Sequence, residues 1–434
     1  MEKVISRLTL IKNKQKINDI NAYLLIAFAF FLPLTVAVTN IIMAFIVLLW
    51  LLRGTFKEDW NEVKDNKVVL AVLGFYLLHI VGLLWTEDMN WGLHILKKET
   101  KFLLLPIFML FVKVEHIKYY IYAFLSAMLI SVFLSYGVWF EILPEFKHAH
   151  VKNPVPFMSH ISYNPFLAVA IYLLISIVLF SKYISLKIKL LMIPLLIIMS
   201  IDMFITEGRG GQVMFFSMMV ILLFQYFNTK KMKAFFLSIL IVPAVFFISY
   251  KTSEVFQNRV DKALTEITNF NIDDSNAKIS QSSMGTRMTF LVTSYEIIKK
   301  NIFLGVGVGD FKVEYLKVRT ITDENLIPDH PHNMYLLILT QLGLLGLVSL
   351  LSILYFQIKV ALINNNMLLR NVGIALPIMF SIIMLSDSYL LGHFTSMLFI
   401  FLSAFLYKTY ENEEFEIFCN QNKNNINKII KGRE

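Results

Sequence analysis

AYLLIAFAFFLPLTVAVTNIIMAFIVLLWLL, residues 22–52, runs for 31 positions without a charged side chain. A hydrocarbon core about 30 Å thick takes about 20 mostly apolar residues as a helix, so the run is too long for one crossing. Pro33 would cost a helix interior one backbone hydrogen bond and clash with the preceding turn. Together with the polar Thr35 and Thr39, it predicts two helices joined by a tight turn. The wider composition agrees. Of 434 residues, 57% are hydrophobic and 16% charged, against about 25% charged in soluble globular chains. Too few charges are present to cover soluble cores of this size. The first apolar run leads directly into the second, so it reads as a span and not a cleavable signal peptide. Cys419 stands alone, which excludes internal disulfides and cysteine-based metal clusters.

Outward from 22–52, further apolar runs lie at 68–85, 102–112, 119–142, 163–180, 188–205, 213–227, 234–250, 334–356, 369–385 and 390–407. They bring the expectation to about twelve transmembrane helices in an all-α polytopic fold. The run 102–112 is short, and is either re-entrant or extended toward Lys97. The expected organisation is a cytoplasmic tail at 1–21, nine spans within 22–250, a large external loop at 251–333, three spans within 334–407 and a cytoplasmic tail at 408–434. With the N-terminus inside, 24 of the 40 Lys and Arg residues fall in cytoplasmic segments, ten in the large loop and six elsewhere outside. That is the bias expected of a cytoplasmic-membrane protein. The net charge of +9 is therefore mostly orientation signal, and nucleic acid drops out as a partner in favour of membrane lipids. Lys97, Lys98 and Lys101 run against the pattern, next to the interfacial Trp85 and Trp91. No inverted internal repeat of the transporter kind is visible.

Within the large loop, Val255, Phe256, Val260, Ala263, Leu264 and Ile267 recur at helical spacing and predict an amphipathic helix. A second helix is expected from Thr286 to Lys300, with a polar, mobile stretch at 269–283 between them.

On this topology the suggestive polar residues share the external side. Arg209 lies in Glu207-Gly208-Arg209-Gly210-Gly211, Arg287 in Gly285-Thr286-Arg287, and His330 and His332 in Asp329-His330-Pro331-His332-Asn333. Two guanidinium groups can grip phosphate oxygens through paired hydrogen bonds, and a neutral imidazole can take a proton from a hydroxyl. Plainer readings stand beside these. Arg209 can be a solvated turn residue, Arg287 a cap or salt bridge on a loop helix, and His332 a partner for backbone groups at a helix start. His330, His332 and Asp329 make a poor metal site by spacing alone. The run Gly305-Val306-Gly307-Val308-Gly309-Asp310 lacks the Lys-Ser/Thr of a phosphate loop and reads as a tight turn. Nucleotides are absent outside the cytoplasmic membrane, so chemistry there needs a donor carrying its own leaving group. A lipid-diphosphate sugar satisfies that need.

In order and spacing these pieces resemble the O-antigen ligase and polymerase superfamily of bacterial membrane glycosyltransferases. Gly208-Arg209-Gly210-Gly211 follows a membrane helix, and Thr286-Arg287 opens a helix ahead of Asn301-Ile302-Phe303-Leu304-Gly305-Val306-Gly307-Val308-Gly309-Asp310-Phe311. His332-Asn333-Met334-Tyr335-Leu336 then leads into Thr340-Gln341-Leu342-Gly343-Leu344-Leu345-Gly346. The resemblance covers about 200–350. It implies a GT-C-type helical membrane fold and a glycan donor on undecaprenyl diphosphate. It also implies transfer at the periplasmic face of the inner membrane with no cofactor, metal or nucleotide. By the same resemblance Arg209 and Arg287 bind the diphosphate and His332 activates the acceptor hydroxyl. His330 has no fixed role in it, and Lys98 and Lys101 are secondary candidates for lipid phosphate or ordinary interfacial lysines.

A ligase transfers the glycan to lipid A–core, whereas a polymerase transfers it to another carrier-linked repeat. The closely spaced Arg287…His332 pattern favours the ligase, and relatives that glycosylate proteins or build exopolysaccharide share the donor chemistry. A transporter or flippase would instead place ionisable residues at mid-membrane. The candidates for that are His79, Asp202, Asp387 and His393, of which all but His79 fall toward outer helix ends.

Overall fold

The computed structural model describes residues 2–181, 184–268, 283–319 and 328–410. The two helices expected from 22–52 are α1 (Glu2–Phe31) and α2 (Val36–Arg53), and the chain turns between them around Pro33. Thr35 is extended there, and its carbonyl accepts the Thr39 hydroxyl at 2.6 Å. There follow α3 (Phe56–Val63), α4 (Lys67–Gly82), α5 (Met89–Glu99), α6 (Leu104–Phe111) and α7 (Ile117–Trp139). A two-residue strand pair, β1 (Ala149–His150) and β2 (Asn153–Pro154), interrupts the otherwise all-helical fold. Beyond it come α8 (His160–Phe180), α9 (Leu186–Ile205), α10 (Arg209–Tyr226) and α11 (Lys231–Thr252).

The large loop holds α12 (Glu254–Thr268), α13 (Ser283–Lys300) and α14 (Phe311–Val318). The first two are the helices its periodicity predicts; the polar stretch 269–283 lies outside the described residues except at Ser283. The chain closes with α15 (Met334–Leu362), α16 (Met367–Ile383) and α17 (His393–Leu406).

Each expected span has a helix, and among the described residues seven are long and apolar enough to cross a membrane, α2, α4, α7, α8, α9, α11 and α15, while the rest of the expected twelve fall short of that measure. The reason is length. At 1.5 Å per residue the eight residues of α6 reach about 12 Å, and α6 continues from α5 only through a 3-10 turn at Thr100–Leu103. The apolar helices α16 and α17 are also short of a full span, and α10 opens on the polar Arg209-Gly210-Gly211-Gln212.

Burial sorts the spans into layers. The α8 window is 83% buried, whereas α2 and α11 are 17% buried. Along α11, Phe235, Phe236, Ile239, Leu240, Phe247 and Ile248 all face outward. A patch of that size is untenable in water but is what lipid tails contact, so the chain is an integral membrane protein.

Two local features bring the functional end of the bundle together. First, α10 lies tight against the central α8 because a Cβ on Gly211 would sit 2.2 Å from the Asn164 Cβ. Second, α15 breaks at Gly343, whose φ of 60° and ψ of −155° suit only glycine. The broken segment is repaired from outside. Val306 N–H donates to Thr340 C=O at 2.8 Å and Gly307 N–H to Gln341 C=O at 3.0 Å, and Leu344 N–H returns a bond to Ile302 C=O at 2.8 Å. The run 305–310 is therefore a turn that plugs a helix break, with the amides of Gly305, Val306, Gly307, Val308 and Asp310 already engaged.

Candidate active site

Arg209 is the first residue of α10. The α9–α10 connection is held by Asn153, whose Oδ1 accepts Glu207 N–H at 3.2 Å, and by Asn164, whose side chain reaches Gly208 C=O at 3.3 Å. The Arg209 guanidinium points inward. Its Nε, Nη1 and Nη2 are all shielded from solvent and have no hydrogen-bond partner among the described residues, so the solvated-turn reading does not hold. Burial lowers its pKa, and the nearby Arg259 and Arg287 add to that against Glu266 and Glu207. A guanidinium carries five donors, and leaving them unmet in a shielded place is costly unless an anion arrives.

The other two arginines come from the loop helices. Arg287 lies in the second turn of α13, whose start is tied to α12 by Met284 N–H donating to Glu266 Oε2 at 2.8 Å. Arg259, on α12, forms an ion pair with Glu207. Arg209, Arg259, Arg287, Glu207, His332 and Asp387 line one cavity of about 270 Å³, with Tyr389 and His160 on its walls. The three residues expected from sequence to work together are thus brought together.

His332 has a left-handed φ of 48°, an uncommon and strained conformation for a non-glycine residue. It does not cap α15. That role belongs to Asn333, whose Oδ1 accepts Tyr335 N–H at 2.9 Å and Leu336 N–H at 3.0 Å. The imidazole stacks on Phe290 at 5.8 Å between centroids with a 13° tilt. Its Nδ1 lies 3.2 Å from Asp387 Oδ1. With Nδ1–H donating to that carboxylate, Nε2 is left as the basic nitrogen. Burial works to raise the Asp387 pKa, but the hydrogen bond from His332 and the two nearby imidazoles outweigh it and hold the carboxyl below its ordinary value. Asp387 therefore stays ionised at neutral pH.

The secondary candidates fall elsewhere. His330 is a buttress: its Nδ1 accepts His332 N–H at 3.3 Å, and the two rings are 4.5 Å apart. Burial, then the neighbouring His332, push its pKa down to about 4, so it is neutral at physiological pH. Lys98 sits over the Trp91 ring at 5.8 Å. Lys101 lies 3.4 Å from Ser396 Oγ, and burial, then Lys98, lower its pKa to about 8. Neither lysine lines the cavity with Arg209.

Metal chemistry has one candidate set among the described residues. Ligand atoms of His330, His332 and Asp387 lie within 4.8 Å of one another, with Asp387 in place of the Asp329 considered from sequence. Asp387 Oδ1 already accepts Ser388 N–H at 2.7 Å as well as the His332 contact. The arrangement is thus complete as a carboxylate-oriented imidazole.

Two of the ionisable groups weighed for transport, Asp202 and His79, lie against other side chains. Asp202 accepts the Ser135 hydroxyl at 2.6 Å and the Tyr163 hydroxyl at 2.5 Å, and His79 Nε2 is 3.2 Å from Glu99 Oε1. Sequence reading missed Arg259 and the pairing of Asp387 with His332. Asp387 stood out only as an ionisable residue near an outer helix end, and that shared sidedness with His332 was the available signal.

A family model described as O-antigen ligase matches residues 194–351, a little over a third of the chain. The match takes in Arg209, Arg259, Arg287 and His332 and leaves out Asp387, Lys98 and Lys101. No curated protein matches the chain. The matched segment, which carries the cavity's arginines and its histidine, is thus similar to the O-antigen ligase family.

Proposed function

We propose that the protein is an O-antigen ligase-like glycosyltransferase, moving a glycan from an undecaprenyl-diphosphate carrier to a lipid A–core hydroxyl at the periplasmic face of the inner membrane. The observation that carries this reading is one cavity holding a shielded Arg209 guanidinium with no partner among the described residues, Arg287, and a His332 oriented by Asp387. Arg209 and Arg287 bind the diphosphate oxygens. The acceptor oxygen attacks the anomeric carbon while His332 Nε2 takes the hydroxyl proton, a contribution of about 10²–10⁴ in rate. The bond between that carbon and the phosphate oxygen breaks, and the diphosphate leaves with the electron pair. Departure adds negative charge beside fixed guanidinium groups, whose effect is strongest where water is excluded. No metal and no nucleotide takes part.

The alternative within the superfamily is a polymerase, which has the same donor chemistry and a carrier-linked repeat as acceptor. Deletion in the native host, followed by gel analysis of lipopolysaccharide and of carrier-linked glycan, separates the two. The ligase reading expects every glycan band on core to vanish while long chains accumulate on carrier. Core capped with a single repeat would instead assign the polymerase role. An unchanged profile, in a host without a paralogue, would contradict both.

A further inference from the structure

Arg209 raises a question its own contacts do not answer: no partner among the described residues fixes its side chain, so its aim depends on where α10 begins. Two buried amides set that start. Asn164, on the central α8 and fully buried, donates Nδ2–H to Gly208 C=O at 3.3 Å and accepts the Thr206 hydroxyl on Oδ1 at 3.0 Å. Gly208 C=O is also the acceptor of the first α10 backbone bond, from Gln212 N–H at 3.1 Å. Gln212 then reaches back, its Nε2 donating to Met203 C=O at 3.2 Å and Thr206 C=O at 3.1 Å. These are carbonyls that the end of α9 would otherwise leave unpaired.

We propose that Asn164 is a positioning residue for Arg209. It ties both sides of the α9–α10 turn to the central helix, so that the guanidinium meets an anionic diphosphate without reorganising. The packing leaves no slack for another arrangement. A Cβ on Gly208 would lie 2.5 Å from Asn164 Cγ, and one on Gly211 would lie 2.2 Å from Asn164 Cβ. The glycines flanking Arg209 let α10 close onto this amide. The network continues inward, where Asp202 anchors the end of α9 through Ser135 on α7 and Tyr163 on α8. Preorganised donors are worth more than mobile ones because nothing has to be ordered when charge arrives. Asn164 lies outside the segment that matches the family model.

The inference rests on Arg209 being a diphosphate ligand, and its test separates the two claims. Binding of inorganic diphosphate to the purified full-length protein in detergent is measured by calorimetry for wild type, Asn164→Leu, Arg209→Ala and the double variant, with Arg287→Ala as a second background. Asn164→Leu should weaken binding about tenfold in the wild-type and Arg287→Ala backgrounds, but less than about twofold once Arg209 is gone, the non-additivity expected of residues acting as a unit. An equal loss in all backgrounds, or no loss, would overturn the positioning role. If wild type does not bind diphosphate, or Arg209→Ala binds as well as wild type, the ligand role of Arg209 falls first and takes the inference with it. Should Asn164→Leu fail to insert, Thr206→Val removes only the hydroxyl that holds Oδ1. It should shift binding in the same direction by a smaller factor and again only when Arg209 is present.

Discussion

Two turns, 207–211 and 305–310, are both rich in glycine, and the fold uses them in opposite ways. In the second, the N–H groups of Gly305, Val306, Gly307 and Val308 are all engaged, two of them on the carbonyls exposed by the break in α15. Its one charged side chain, Asp310, accepts Glu87 N–H at 2.7 Å and Asp88 N–H at 2.8 Å. In the first turn Asn153 accepts the Glu207 N–H and Asn164 holds the Gly208 C=O, but the cation is left over: the three side-chain nitrogens of Arg209 have no partner among the described residues. Glycine content therefore says little about ligand binding. What separates a site from a splint is whether the charged group has already found its partner inside the protein.

The sharpest way to break that contrast is at the end of the chemistry that Arg209 serves. His332→Ala should reduce glycan transfer by about 10²–10⁴ in a membrane-fraction assay while the protein inserts normally; substantial retained activity would remove His332 from the mechanism. Next comes Arg209→Lys, which keeps the charge and loses the planar fork. A fall of about tenfold or more in transfer at equal expression is expected, and a wild-type rate would mean that the fork is not what binds. On the other turn, Gly343→Ala should act on folding. The alanine would occupy a left-handed φ with its Cβ 2.3 Å from Phe303 carbonyl carbon, a strain of about 1–3 kcal/mol or more. Folded yield and melting temperature should drop while the rate per folded molecule stays near wild type. A selective loss of rate would give 305–310 a functional role.

The smallest effect concerns pH. His330 has a pKa of about 4 in the fold against about 6.5 for an unperturbed histidine. Its contribution to stability is complete above pH ~6.5 and is lost as the pH falls toward 4, because only the unfolded chain binds the proton in that window. Melting in detergent should therefore decline on acidification across that range. His330→Gln should flatten the decline, and an identical pH profile would show that His330 is not its source.

Much of this was legible in the sequence, for a physical reason in each case. Pro33, with the polar Thr35 and Thr39 beside it, marks the α1–α2 turn, and the periodicity of 255–267 is that of α12. Arg209, Arg287 and His332 were readable as a set because charged groups at the same membrane face have few other roles. Hydropathy places the apolar runs but leaves open how many of the twelve cross fully, because it measures how apolar a run is and not how long its helix stays regular: α6 stops at eight residues after a 3-10 turn. Asp387 and Asn164 were missed because their partners, His332 and Gly208, are 55 and 44 residues away. No periodic pattern links residues that meet only when α16, α15, α8 and α10 pack.

The most direct test is reconstitution: purified protein in vesicles with a carrier-diphosphate-linked glycan and a core acceptor, in the presence of EDTA and without nucleotide. Transfer should proceed in the wild type and fall by about 10² or more in Arg209→Ala, the loss typical of removing a transition-state anion ligand. A requirement for added metal or nucleotide, or undiminished transfer by Arg209→Ala, would contradict the account.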